Sequence, residues 1–353
     1  MTDQTEALCE RVRAAQATGT PLRIRGGDSK RSWLGRPGTD DKVLDLAQHR
    51  GVVAWEPGEL VLVARAGTTI SELTELLASE GQVLAFEPPA CGGRATLGGT
   101  LASNCSGPAR PWSGAVRDAV LGVKLLTGRG ECLNFGGRVV KNVAGYDVSR
   151  LQAGALGSLG VITEVSLKVM PAAEASQTVA LELDAEAALA QMTRCAREPA
   201  PLTGACWLQG RLFLRLSGAA AAVAASVRRW GGDPVAAVDA PWESLREFSA
   251  GAQAAAEPLW RVSLAGNAPL PAESRPLLID WAGALRWFAA DGFDAFGYAG
   301  AHGGHATLWW PGANREGETA QPLPPVLQAL HQRLKLAFDP GRILNPGRLY
   351  SWL

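Results

Sequence analysis

Residues 128–170, GRGECLNFGGRVVKNVAGYDVSRLQAGALGSLGVITEVSLKVM, set glycines at 136, 137, 145, 154, 157 and 160 among apolar side chains. Glycine takes backbone conformations closed to other residues and lets a second backbone or a ligand come close. A flexible linker is polar and Ser-rich. This stretch instead runs into the strand-like VITEVSLKV, so its glycines belong to packed turns. Two readings stay open on the segment alone: tight turns in an ordinary α/β domain, or a backbone shaped around a ligand.

Two further glycine clusters precede it. Pro21 to Arg25 reads as a short strand that opens directly into Gly26-Gly27-Asp28-Ser29-Lys30. Such a turn aims several backbone N–H groups at one point, a concave donor nest suited to phosphate oxygens. It has neither the Walker spacing nor G-x-G-x-x-G, and a plain hairpin turn accounts for GGDS equally well. The second cluster, PPACGGRATLGGTLASNCSG over 88–107, is dominated by small and hydroxyl residues. Packing alone rarely needs that, whereas backbone wrapped along an extended ligand does.

Around these clusters the pattern is regular. Leu8, Val12 and Ala15 predict a helix over 4–18 that stops at Gly19. Strand-like runs at 42–46, 51–55 and 60–65 follow, broken at Pro57-Gly58. Thr69 with Glu72 three residues on predicts a capped helix with Leu73, Leu76 and Leu77 facing inward and Gly81 ending it. A strand follows over 119–126. This β–β–α order indicates an α+β fold rather than a doubly wound parallel sheet.

At 353 residues two domains are expected. Lys+Arg and Asp+Glu are both 34, which disfavours nucleic acid as a partner. The charged N-terminus has no signal-like apolar core, and no apolar window reaches the ~18 residues of a membrane span. A cytosolic protein is expected, held at a membrane only through partner subunits. None of the six cysteines (9, 91, 105, 132, 195 and 206) forms a C-x-x-C pair or a zinc or iron–sulfur spacing. No metal site is therefore expected, and the thiols read as small buried hydrophobes.

The clusters GGDSK, TLGGTLASNCSG and KNVAGYDVSRLQAGALGSLGVITEVSL, in this order, together with the ending Phe338-Asp339-Pro340-Gly341-Arg342-Ile343-Leu344-Asn345-Pro346-Gly347-Arg348, resemble the PCMH-type FAD-binding domain of the vanillyl-alcohol-oxidase class. The ending is similar to that of its lactate and glycolate dehydrogenase branch. Chain length and the GGDSK loop most resemble the family of FAD-binding E subunits of bacterial glycolate oxidases. The resemblance covers about residues 20–170 and 330–350. It implies a two-subdomain FAD-binding domain over 1–172, a smaller cap domain with an antiparallel sheet covered by helices over 173–325, and a segment over 326–353 returning to the FAD domain.

It also implies roles. Gly26, Gly27, Asp28, Ser29 and Lys30 would hold the FAD pyrophosphate. Pro89, Leu97, Gly98, Gly99 and Thr100 would run along its other side and the flavin, continued by Ser103, Asn104, Ser106 and Gly107. Gly160, Val161, Ile162 and Glu164 would hold the adenine–ribose end. Lys141, Tyr146 and Asp147 would brace the site, a plain structural Lys–Asp pair being the alternative. Asn345 and Arg348 would close it from the C-terminus. Members of the class often bond flavin through a histidine in the first loop. Here Asp28 stands there, so FAD is expected to be dissociable, Cys105 being the nearest nucleophile.

After Pro171 alanine content rises, and strands near 179–183, 204–217, 258–264, 281–288 and 305–310 with helices at 185–197, to Trp230 and at 241–249 predict helices on an antiparallel sheet. Oxidation of a 2-hydroxy acid needs a base for the hydroxyl proton and a cation for the carboxylate. Of the four histidines, 49, 302, 305 and 331, only His302 and His305 fall near a cap strand. His305 as base and Arg286 as cation are the catalytic candidates, against a solvated loop histidine and a salt-bridged arginine. The twelve tryptophans, dense after residue 200, suit core, flavin stacking or a subunit interface.

The function implied is that of an FAD-binding subunit in glycolate or 2-hydroxy-acid oxidation. A larger flavoprotein subunit and an iron–sulfur subunit would be its partners. The alternatives are a stand-alone D-lactate-type dehydrogenase and a non-catalytic FAD-containing assembly or electron-relay subunit.

Overall fold

The computed structural model describes residues 3–36, 42–137, 147–250, 258–289, 292–310 and 317–353. Two compact units emerge. One comprises 1–105, 115–171 and 317–353, the other 106–114 and 172–316.

The first unit opens with α1 (Thr5–Thr18), whose buried stripe Leu8, Cys9, Val12 and Ala15 keeps helical period. Gly19 ends it in the left-handed conformation, φ 64°. β1 (Leu22–Arg25) pairs in parallel with β2 (Lys42–Asp45). β3 (Val52–Glu56) and β4 (Val61–Arg65) form a hairpin. α2 (Ile70–Ala78) carries the expected capping box: Thr69 Oγ1 accepts from the Glu72 amide and Glu72 accepts from the Thr69 amide, worth ~1 kcal/mol. The helix stops at Ala78, before Gly81, with Leu73 and Leu77 buried and Leu76 half-buried. After β5 (Gln82–Val83), part of the small-residue cluster forms a helix, α3 (Leu97–Ser103). Thr96 caps it, and Gly98 lets it press against Ala66: a Cβ there would lie 2.6 Å from the Ala66 Cβ. α4 (Arg110–Ser113) belongs to the other unit. α5 (Val116–Ala119), β6 (Val120–Leu126), β7 (Cys132–Gly136), α6 (Val148–Leu151), β8 (Val161–Lys168) and β9 (Met170–Pro171) complete this run. The sheet order is β3-β4-β8-β6-β7, antiparallel throughout. Its core joins Leu62, Leu73, Leu97, Leu125, Val161 and Leu167.

The second unit is one antiparallel sheet ordered β13-β10-β12-β11-β15-β16-β14-β17. Its elements are β10 (Ala175–Glu182), α7 (Ala185–Cys195), β11 (Leu202–Leu208), β12 (Arg211–Gly218), α8 (Ala220–Trp230), β13 (Asp233–Val235), α9 (Trp242–Arg246), β14 (Leu259–Ser263), β15 (Leu278–Asp280), β16 (Leu285–Ala289), α10 (Ala295–Ala301) and β17 (His305–Trp310). Helices pack on the sheet, α10 against β14 and β17. The strand expected at 281–288 begins only at Leu285. Before it, Trp281 and Ala282 take left-handed backbone, φ 53° each, in a turn pinned by Asp280, which accepts from the Trp281 amide at 2.7 Å. The chain then returns to the first unit, where α11 (Pro325–Phe338) lies. That return starts at Gly317, whose carbonyl accepts from Arg36.

Candidate functional site: a cationic cleft in the first unit

β1 delivers the chain into Gly26–Ser29 at the edge of an open cleft. That loop lies hard against 94–96. A Cβ on Gly27 would sit 1.6 Å from the Arg94 carbonyl oxygen, and one on Gly26 2.5 Å from Thr96 Oγ1. Asp28 is left-handed, φ 52°, and its carboxylate is held by Arg23 at 3.1 Å. Among the described residues, the amides of Gly26, Gly27, Asp28 and Ser29 donate to no protein acceptor. Four backbone donors at one loop without protein partners form the nest that a diphosphate satisfies.

The charge of the cleft agrees. Arg23, Arg25, Lys30, Arg31 and Arg348 line it against one carboxylate, that of Asp28. From the opposite wall come Gly98, Gly99 and Ser103, with Ile162 on β8. Ser103 spends its hydroxyl on the Gly99 carbonyl at 2.7 Å. Thr100 Oγ1 and Asn104 Oδ1, on the same turn, are buried and have no protein partner among the described residues. Neither residue lines the cleft itself. The lining residues fit FAD: donors for its pyrophosphate, cations for its charge and an apolar floor of Leu22, Ala66 and Ile162 for its rings.

The C-terminal ending closes the floor. Asn345 Oδ1 accepts from the Ile24 amide at 2.8 Å and its Nδ2 donates to the Leu156 carbonyl at 2.7 Å. Arg348 donates to the carbonyls of Arg31 and Arg36. Both line the cleft, but these hydrogen bonds tie its walls together. Behind them lies a pair the sequence reading passed over, Lys335 and Asp339, both fully buried. Lys335 Nζ donates to Asp339 Oδ2, the Ser158 carbonyl and the Leu344 carbonyl, each at 2.8 Å. Burial pushes the Lys335 pKa down, and Asp339 opposes that. The i, i+4 spacing of Lys335 and Asp339 on α11 was the available signal; a buried lysine on an otherwise exposed helix was not legible.

Other expected site residues lie elsewhere. Pro89, Leu97 and Val161 are buried outside the cleft lining. Gly160 abuts Leu125, where a Cβ would fall 2.7 Å away, and Glu164 pairs with Lys124 at 2.9 Å. Asp147 caps α6, accepting from the Arg150 amide at 3.0 Å, and faces solvent. Ser106 and Gly107 belong to the second unit, where the Gly107 carbonyl accepts from Trp281 Nε1 at 3.0 Å. Lys141 and Tyr146 lie outside the described residues.

In the second unit, the catalytic candidates part company. Cross-strand partners share a sheet face and neighbours along a strand alternate. Arg286 pairs with Val262, whereas His305 pairs with the next residue, Ser263. Arg286 and His305 therefore point to opposite faces of the sheet and cannot act on one molecule. Arg286 is fully buried and donates to the carbonyls of Ala268, Pro269 and Gly283 and to Tyr298 Oη. It clamps a turn under α10. His305 is exposed at the start of β17; neighbouring atoms, and then the cations of Arg261 and Arg110, push its pKa below the usual value. His302 packs its ring on Tyr298, centroids 5.1 Å apart. Trp281, Trp287 and Trp309 gather on the His305 side. Trp287 and Trp309 meet edge to face at 5.3 Å, and Arg110 and Arg261 stack on Trp281 at 4.4 and 4.8 Å. His49 is buried in the first unit: its Nδ1 accepts from the Gln4 amide and its Nε2–H donates to the Thr163 carbonyl.

An α+β unit whose Gly-rich loop opens on a cationic cleft fits the FAD-binding flavoproteins, and the family model described as FAD binding domain matches residues 2–136. The chain is an FAD-dependent oxidoreductase of this class. Within it, the chain belongs to the family of the glycolate oxidase subunit GlcE: it is 43% identical to the Escherichia coli protein of that name over 353 residues, 99% of each chain. The glycolate oxidase subunit GlcD of Bacillus subtilis is 33% identical over 142 residues, 40% of this chain and 30% of the other. The mitochondrial D-lactate dehydrogenase (cytochrome) of Arabidopsis thaliana is 32% identical over 126 residues, 36% of this chain and 22% of its own. Among solved structures an alkyldihydroxyacetonephosphate synthase shares the fold, with a TM-score of 0.65 at 15% identity over 96% of this chain and 74% of the other. Among the described residues no helix is long and apolar enough to cross a membrane.

Proposed function

We propose that this chain is the FAD-binding subunit of a glycolate oxidase, acting in the oxidation of glycolate and related 2-hydroxy acids to 2-oxo acids. One observation carries the reading: a nest of four amides without protein acceptors, in a cationic cleft, in a chain similar over its whole length to a glycolate oxidase subunit. FAD, when bound, supplies the acceptor for the hydride of the hydroxy acid. The chain's own part is to hold it. Backbone amides of 26–29 would hold the pyrophosphate, each charge-assisted bond contributing roughly 1.5–3 kcal/mol. Lys30 and Arg31 offset its charge, and Asn345 keeps β1 against the 156–157 turn. Asp28 stands in the first loop and Cys105 is buried, so FAD is held without a covalent bond. The relative's name supports companion subunits; a larger flavoprotein and an iron–sulfur protein carrying electrons onward are the partners we assign.

A second reading has its own support. Arg286 is spent on backbone carbonyls and lies on the opposite sheet face from His305. The expected base-and-cation pair is thus not assembled, which favours substrate chemistry on a companion subunit and electron relay here. An absorbance spectrum of the purified chain, before and after anaerobic glycolate and D-lactate, tests both. Absence of flavin bands even after reconstitution with FAD overturns the cofactor assignment. Bleaching by either acid places oxidation in this chain; a flavin that stays oxidised supports the relay.

A further inference from the structure

Lys335 is the one charged side chain of α11 that points inward, and α11 buries nothing else fully. Its ammonium reaches two carbonyls from separate stretches of chain, Ser158 and Leu344. Each lies one residue from the cleft lining: Gly157 precedes Ser158, and Asn345 follows Leu344. These two residues touch. A Cβ on Gly157 would come 2.8 Å from Asn345 Nδ2 and 3.1 Å from Ile24 Cδ1. Asn345 in turn holds Ile24 on β1, the strand that delivers the pyrophosphate loop. Leu22 on the same strand donates to the Ile343 carbonyl at 2.7 Å, and Asp339 accepts from the amides of Ile343 and Leu344. One buried ammonium therefore sits at the root of a chain of bonds running from α11 to the floor of the cleft.

We infer that Lys335, acting through Ser158, Leu344 and Asn345, is a positioning residue for FAD. Its hydrogen bonds fix the spacing between the 156–157 turn and β1, and the cleft receives FAD only at that spacing. The inference rests on the FAD reading of the cleft. It goes further in locating control of cofactor retention in a helix that lines no part of the cleft. A buried ion pair alone is weak grounds for such a role, because replacing both partners by neutral groups is often tolerated. The distinguishing feature is where the other two Nζ donors go.

The test separates fold stability from FAD retention. Lys335→Met leaves Asp339 charged and buried without its partner, so both thermal stability and FAD affinity fall. Lys335→Met with Asp339→Asn removes the charge and keeps an acceptor for one of the two amides, Ile343 or Leu344, that Asp339 holds through separate oxygens. The expected result is a melting temperature restored towards wild type while the FAD dissociation constant stays at least ~10-fold raised, because Ser158 and Leu344 still lack their donor. FAD affinity is read by quenching of flavin fluorescence on titration into apoprotein, well below the melting transition. Recovery of affinity together with stability overturns the inference. Failure of wild-type apoprotein to bind FAD at all sinks the underlying reading instead. If neither variant folds, amide hydrogen exchange on the wild-type chain decides. FAD should slow exchange at Leu22, Ile24 and Leu344, which the clasp holds, and unchanged exchange at all three refutes the coupling.

Discussion

Gly27→Ala probes the pyrophosphate loop most directly. Gly27 is not in the left-handed region, so alanine is opposed there by contact alone. The new Cβ would start 1.6 Å from the Arg94 carbonyl oxygen, where real contacts begin at about 3.0 Å. The loop must therefore back away by about 1.4 Å, since its neighbour is backbone and cannot swing aside. A hydrogen bond of ~2.9 Å stretched by that much lies beyond the useful range. If two of the four amides lose their phosphate contacts, the loss is about 3–6 kcal/mol, or roughly 10²–10⁴-fold in FAD dissociation constant. Gly26→Ala is the milder contrast: its Cβ meets the Thr96 side chain rather than backbone, and turning the hydroxyl aside costs its cap on α3, ~1 kcal/mol or a weakening under ~10-fold. Titration of both apoproteins with FAD, with circular dichroism to confirm folding, reads the difference. Wild-type affinity in folded Gly27→Ala would refute the placement of the pyrophosphate on this loop.

Gly98→Val should also lose FAD, through the fold rather than by direct contact: the side chain drives α3 off Ala66, costing about 1–3 kcal/mol. A lowered melting temperature in the apoprotein accompanies the loss, and an unchanged one would contradict the packing. His49 predicts a pH dependence of stability. Burial leads in lowering its pKa below 6.5, with Arg65 adding and Asp3 and Glu164 opposing; His305 shifts the same way. Between the folded value and 6.5 the unfolded chain holds more protons, so stability is full above about 6.5 and falls as pH drops below it. Melting temperatures across that range should show a slope that flattens in His49→Gln, and a slope of opposite sign would refute it. Arg286→Met should lower the melting temperature by leaving three carbonyls without their donor, while FAD affinity stays within about 2-fold of wild type, as fits a residue outside the cleft. A large loss of FAD binding by a folded variant would contradict its role as a turn clamp.

Much of the first unit was legible because its signals are local. Leu8, Val12 and Ala15 state a helical period, Thr69 and Glu72 state a cap, and Gly26-Gly27 states a close approach. Each needs only a few neighbouring residues to be read. The second glycine cluster was legible in part: Gly98, Gly99 and Ser103 line the cleft, but the helix they form was not read. Small residues permit two backbones to approach, but composition does not say whether the second backbone is a ligand's neighbour or Ala66. Lys335 was hidden because its partners, Ser158 and Leu344, are set by tertiary structure; on the helix alone it reads as a solvated charge. Asp147, a motif residue, caps the single turn of α6.

The second unit makes the division of labour concrete. Arg286 and His305 lie within 20 positions of each other and both sit on strands of one sheet, yet a one-residue offset in register separates them by the thickness of that sheet. Period two is unforgiving in this way, since no rotation of side chains brings residues of opposite faces to one substrate. The polar groups buried under α10 are consumed by backbone: Arg286 by three carbonyls and Tyr298 by Pro269 as well as by Arg286. In the first unit the balance is reversed, with the amides of 26–29 and the oxygens of Thr100 and Asn104 lacking protein partners among the described residues. Buried or sheltered polar groups without partners are costly, and a chain keeps them where a ligand repays the cost. That contrast supports the proposed place of the cofactor in the first unit, and it leaves substrate oxidation a question for the His305 face, where Arg261, Arg110, Trp281, Trp287 and Trp309 gather, and for the proposed companion subunits.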